Sequence, residues 1–199
     1  MKKIIATLLI IAGVILTLTS FGLKMYSKSK EKALMNHLTN ELKLENKKET
    51  PKKMDMKDNN ENEIINLHGA MAIIEIPSIG LKSVIVEGIE MEKLRYYIGH
   101  FKETALPGQL GNFCIAGHSS SMYSEILNNL HKVKIGDEIK IKTIKEEFNY
   151  TIKEKFVVDP TKVSVLNQDK TKKTMTIVTC TDNGKNRLIV KGEINKNDK

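Results

Sequence analysis

The stretch TMTIVTCTDNGKNRLIVKGEI, from Thr174 to Ile194, constrains this chain more than any other. Its two ends, TMTIVTC and RLIVKGEI, are dense in Thr, Ile, Val and Leu, residues that suit a pleated, half-buried surface. Six residues separate them, among them Asn183-Gly184, a pair that accepts the backbone angles of a tight reversal. The spacing predicts an antiparallel hairpin. Such a hairpin brings Cys180, at the end of its first strand, beside Arg187, at the start of its second. A thiol then sits next to a permanent positive charge that carries a planar fork of donors.

Taken singly, these residues are unremarkable in the literal sense. A lone Cys in a β-rich domain is usually a small buried hydrophobe, and an Arg at a strand start is an ordinary edge charge. A third residue changes the weighting. GNFCIAGHSS, Gly111 to Ser120, is another short apolar strand, and it runs into Gly117-His118. A thiol, an imidazole to manage its proton and a cation beside the oxyanion are what cysteine hydrolases and transpeptidases require.

In chain order, Ile4 to Leu23 is a run of 20 residues without a charge, long enough to cross a bilayer as a helix. A cleaved leader would have a shorter apolar run and a small-x-small cleavage site, so an uncleaved anchor is expected. Lys2 and Lys3 favour an N-terminus inside the cell, while Lys24, Lys28 and Lys30 on the other flank weaken that bias. From Ser27 to about Glu63 the chain is polar. Leu34, Leu38 and Leu42 recur at four-residue spacing, which predicts a short helix near its start, and the remainder reads as a spacer.

Strand patterns begin at Ala70. AMAIIEI stops at Pro77, SVIVEG follows, and MEKLRYYIG reads as a helical turn or two. Pro107-Gly108 and Gly111-Asn112 punctuate the approach to the strand that bears His118. SMYSEILNNLHKV carries Met122, Ile126, Leu127, Leu130 and Val133 at helical spacing. DEIKIKT, EEFNYTIKEKFVV and the terminal hairpin complete a chain of short strands with two small helices, the pattern of a β-barrel.

The net charge is +8 but is spread along the chain, with no basic stripe interleaved with aromatics, which argues against nucleic acid. No His, Cys, Asp and Glu set has zinc-ligand spacing, and no cofactor is expected. Glu90, Glu92 and Glu103 form too loose a pattern for a calcium site. His68, His100 and His131 read as structural or exposed. Cys114 reads as a buried strand thiol, because a disulfide to Cys180 would silence the nucleophile.

TIVTC followed by RLIV resembles the signature of the sortases, cysteine transpeptidases of Gram-positive bacteria, with Ile177 where that family usually has Leu. ALPGQLGNFCIAGHSS resembles the family's segment around its histidine, and the likeness runs from about His68 to Ile194. It implies an eight-stranded sortase-type β-barrel over residues 67–199, preceded by a membrane anchor at 1–25 and a polar extracellular linker at 26–66. It also implies Cys180 as nucleophile, His118 as proton carrier and Arg187 as oxyanion and substrate clamp. Thr179 and the Thr181 N–H then serve the substrate. The implied partners are surface proteins with a C-terminal Leu-Pro-x-Thr-Gly sorting signal, cut between Thr and Gly, and a cell-wall amine as acceptor. The implied location is the cell membrane, crossed once, with the catalytic domain outside. ALPGQLGN-x-x-IAGH is similar to class D, and the short stretch between Pro160 and Thr174 leaves no room for a class B insertion. A peptidase that mainly hydrolyses, or a non-catalytic wall-binding β-domain, are the alternatives.

Overall fold

The computed structural model describes residues 2–46, 69–120 and 124–194. Eight strands close into one barrel: β1 (Ala70–Ile76), β2 (Leu81–Glu87), β3 (Ile98–His100), β4 (Gly111–Ala116), β5 (Glu138–Lys142), β6 (Glu147–Val158), β7 (Lys173–Thr181) and β8 (Asn186–Ile194). The order around the barrel is β1-β2-β3-β4-β7-β8-β6-β5, and β5 closes it against β1. Neighbours are antiparallel except β2 with β3 and β4 with β7.

The period-2 alternation decides what fills the barrel. Ile74, Ile85, Phe113, Ile115, Met175, Ile177 and Val190 point inward and are fully buried. Their neighbours Cys114, Ala116, Thr176, Val178 and Cys180 therefore face outward from β4 and β7. Parallel pairing sets Ala116 against Val178, so these two strands end together.

Two local readings need correction. In MEKLRYYIG the expected helical turn is α2, Met91–Leu94, but the chain then forms β3, which the reading did not foresee. Three residues around a glycine are too short to show a strand period. Gly99 is required there because a Cβ would lie 2.3 Å from the Gly88 carbonyl oxygen. In SMYSEILNNLHKV the regular element is a 3-10 helix, Asn128–Lys132, while Met122 lies outside the described residues. Leu127, Leu130 and Val133, the buried residues, recur every third position, which matches the tighter helix.

The N-terminal helix α1 runs unbroken from Lys2 to Asn46. Its first part is apolar enough to cross a membrane, and Ile4, Leu9, Leu16 and Phe21 stand exposed. The expected polar spacer is not detached along its helical part. Leu34 (1% exposed) and Leu38 (3%) pack with Ile73, Val84, Val86 and Tyr97 on the barrel's outer surface. The four-residue spacing foretold the helix but not its partner, which exists only once β1 and β2 are paired. Residues 47–66 of the expected linker, and His68, lie outside the described residues.

Candidate active site

The hairpin forms as its spacing predicts. Cys180 and Arg187 are paired residues of β7 and β8, which sets their Cα atoms about 5 Å apart. The reversal needs left-handed backbone at Asp182 (φ 52°), Asn183 (φ 55°) and Gly184 (φ 87°), conformations that Asp, Asn and Gly accept most readily. The Asn186 side chain donates to Asp182 Oδ2 at 2.8 Å and ties the turn shut. Arg187 Nη1 donates to the carbonyls of Gly184 (3.0 Å) and Asn186 (3.1 Å), so one arm of its fork braces the turn. Val158, the last residue of β6, flanks Arg187 on its other side.

His118 arrives from β4. The residue before it is held twice by β7: the Gly117 N–H donates to the Val178 carbonyl at 3.2 Å, and Thr179 Oγ1 donates to the Gly117 carbonyl at 2.8 Å. On the far side, Leu127 N–H donates to the His118 carbonyl at 3.0 Å. The parallel register ends at Ala116 and Val178, and with Gly117 held to Val178 and Thr179, His118 leaves β4 at the same end at which β7 carries Cys180. Half-buried Ala116 and Val178 form the floor beside them. Burial pushes the His118 imidazole below its ordinary value, which leaves the ring neutral near pH 7.

Thr179 has a different place from the one its motif implies. It is 3% exposed, and its hydroxyl is committed to Gly117. That bond holds the residue before His118 against β7. Thr181, half-buried, closes β7 opposite Asn186.

Cys114 is 0% exposed, and burial drives its thiol up to about 12. It faces the same outer side as Cys180 but is roofed by two loops. One roof strut is His100, whose Nδ1 lies 2.9 Å from Glu87 Oε2 and whose Nε2 lies 3.1 Å from both the Ala105 carbonyl and Thr104 Oγ1. The Cys114 N–H in turn donates to Thr104 Oγ1 at 3.2 Å. Gln168 is the other strut. Its Oε1 accepts from the N–H groups of Ala105 (3.2 Å) and Asn112 (2.9 Å), while its Nε2 donates to the carbonyls of Asn112 (3.0 Å) and Leu166 (2.8 Å). Asn112 completes the clamp by accepting from Thr176 Oγ1 at 2.8 Å. Sequence reading passed over Gln168, which sits in a polar stretch without a motif, and took Asn112 only as punctuation.

Cys114 pairs with Thr176, four residues short of Cys180 along β7, a separation of about 13 Å. No disulfide can bridge that gap, and both thiols are unpaired. His131 is exposed and bonded to the Asn128 carbonyl. Glu90, one of the three loosely grouped carboxylates, is held by Lys102 at 2.8 Å and Lys93 at 3.4 Å. The hydrogen bond from Lys102 holds its carboxyl down at about 2. Among the described residues no cluster of His, Cys, Asp and Glu is arranged to hold a metal. A cleft of about 600 Å³ between Ile89, Phe101, Lys102 and Leu166 is lined by none of the residues beside Cys180.

The Sortase domain family model matches residues 74–195, which contain this whole constellation. The chain belongs to the sortase family. Sortase D of Bacillus subtilis (strain 168) is 27% identical over 111 residues, covering 56% of this chain and 54% of that protein. Sortase A of Listeria monocytogenes is 29% identical over 129 residues, covering 63% and 57%. The chain thus spans little more than half the length of these curated relatives. Among solved structures, a Clostridium perfringens Sortase D5 transpeptidase superposes with a TM-score of 0.67 at 38% identity, covering 84% of this chain and 99% of that one. Sortase C1 of Streptococcus suis superposes at 0.62 and 25% identity, covering 72% and 89%. This sortase is class D-like, and its barrel is the family's.

Proposed function

We propose that this sortase is a membrane-anchored cysteine transpeptidase in which Cys180, His118 and Arg187 carry the reaction. The observation that supports this most is the direct cross-strand pairing of Cys180 with Arg187, at the end of β7 that also pins His118. Neutral His118 takes the Cys180 thiol proton, and the resulting thiolate attacks the carbonyl carbon of the scissile peptide bond. The tetrahedral oxyanion is met by the donors of Arg187 not used on the turn, with the Thr181 N–H as a second donor. The C–N bond breaks as the amine leaves with a proton from His118, and a thioester to Cys180 remains. An incoming amine attacks the thioester, His118 takes its proton, and the thiolate is restored as the new amide departs.

The substrate is a C-terminal sorting signal of the Leu-Pro-x-Thr-Gly type, cut between Thr and Gly, and the acceptor is a cell-wall amine. Residues 1–25 anchor the enzyme in the cell membrane, and residues 67–199 form the catalytic domain outside it. Mass spectrometry of the purified enzyme with a sorting peptide and candidate amines tests this reading. A thioacyl adduct on Cys180 and an amide product are expected. Hydrolysed peptide alone, in the presence of every amine, would favour a peptidase. The absence of any adduct with a folded protein would leave a wall-binding domain.

A further inference from the structure

Helix α1 lies across the barrel, and its direction is readable from what it touches. Near the end of its apolar run, Lys24 Nζ meets Glu125 Oε1 at 2.5 Å, and Ser27 Oγ donates to the Arg95 carbonyl at 3.4 Å. The Tyr26 ring stands edge-on to Tyr96, with centroids 6.3 Å apart. Further on, Glu31 accepts from Ser83 Oγ at 2.5 Å, and Leu34 and Leu38 bury themselves on β1 and β2. Beyond them, Thr39 shares a cleft with the turn between β5 and β6.

Glu125 follows His118 in the chain, and Arg95 lies just before the start of β3. That start pairs beside the end of β4, at the end of the barrel where His118 and Cys180 stand. The β5–β6 turn belongs to the opposite end. From Lys24 to Thr39 the helix therefore crosses from the Cys180 end to the far end. Because α1 is unbroken, its apolar run Ile4–Leu23, about 30 Å long, leaves the barrel from the Cys180 end. Lys24 is the first charge after that run and marks the headgroup level. Its ion pair sets Glu125 at the same height.

We infer that α1 docks the barrel with its Cys180 end at the bilayer surface, so that the enzyme acts on a polypeptide bond held close to a membrane. The chemistry at that bond rests on the proposed transpeptidase reading, whereas the docking does not. The bilayer then forms one boundary of the site, and a membrane-tethered substrate meets Cys180 at a fixed height without searching the volume beyond.

The full chain carrying Cys180→Ala, reconstituted in phosphatidylcholine and phosphatidylglycerol vesicles, separates the two. A fluorophore is placed on Asn129→Cys, in the exposed part of the 3-10 helix after His118, or on Lys145→Cys, exposed at the far turn. Sealed Cys114 stays unlabelled. Headgroup spin-labelled lipid is expected to quench the first several-fold more than the second. Equal or reversed quenching overturns the inference. In the active enzyme, a short Gly-Ser insertion between Leu23 and Lys24 frees the barrel from the bilayer without touching its packing. Turnover of a soluble sorting peptide should stay within about twofold, and that of the same peptide tethered to lipid should fall about fivefold or more. Unchanged tethered turnover, or loss of both, would sink the positioning role. An unmodified enzyme inactive on both peptides would instead fail the transpeptidase reading, with the quenching result still decisive for the docking.

Discussion

Cys114 and Cys180 face the same outer side of neighbouring strands, yet their surroundings differ in one respect. The floor beside Cys180 is open, with Ala116 and Val178 half-buried. The surface over Cys114 is sealed by the 101–110 and 159–172 connections, which Gln168, Asn112, Thr104 and His100 clamp down. The sealed thiol is held at about 12 by its burial and is inert, since the thiolate is the reactive form. The open one stands beside an arginine and a pinned histidine. The contrast between the two thiols is set by what covers the strand face and by the cross-strand neighbour, not by strand or residue type.

The largest expected effect comes from exchanging one cysteine against the other. Cys180→Ala should lower peptide transfer on the order of 10⁴-fold or more and leave no thioacyl adduct by mass spectrometry. Cys114→Ala should leave turnover unchanged and cost about 1 kcal/mol in urea unfolding, because it deletes one small buried group. Adduct formation that survived Cys180→Ala would reverse the comparison.

Arg187→Lys keeps the charge but loses the fork, one arm of which holds the turn. Steady-state kinetics should show kcat/KM down about 10²-fold, since a point charge on a flexible stem does not reproduce two fixed donors. Near-normal turnover would reduce Arg187 to a charge acting through space.

Gln168→Ala loosens the roof. Losing four hydrogen bonds at a partly exposed site should cost about 2 kcal/mol of unfolding free energy. In a Cys180→Ala background, Cys114 should then become labelled by a maleimide at a measurable rate, whereas the intact roof protects it. Continued protection would show that packing, not the clamp, seals the face.

The smallest effect concerns pH. Burial lowers the His118 value, so the folded chain binds this proton less readily than the unfolded chain, whose imidazole titrates near 6.5. As pH falls through about 6.5 toward the lowered folded value, the unfolded state holds more protons and stability declines. His118→Gln should flatten that decline in a pH series of urea melts. Proton NMR of the His118 ring should place its midpoint below 6.5.

Much of this was legible in advance because it is local. The hairpin, its Asn183-Gly184 reversal and the adjacency of Cys180 and Arg187 follow from strand composition and a short loop. The strand before His118 follows from its apolar run and the glycines around it. The three-residue strand β3 was not legible, since a strand that short has no period and exists only between β2 and β4. The roof over Cys114 was equally hidden, because Gln168 and Asn112 lie far apart in sequence and meet only across the closed barrel.

The sequence by itself determined the longer strands, the hairpin and the apolar run at the N-terminus, all of which depend on neighbours within a few residues. Only the tertiary structure decided that His118 leaves β4 at the end at which β7 carries Cys180, through the parallel pairing of β4 with β7. It likewise decided that Thr179 turns inward to hold Gly117, and that Leu34 and Leu38 find their partners on β1 and β2. Each of these contacts joins residues distant in the chain, and their geometry comes from barrel closure and register, which no local pattern encodes.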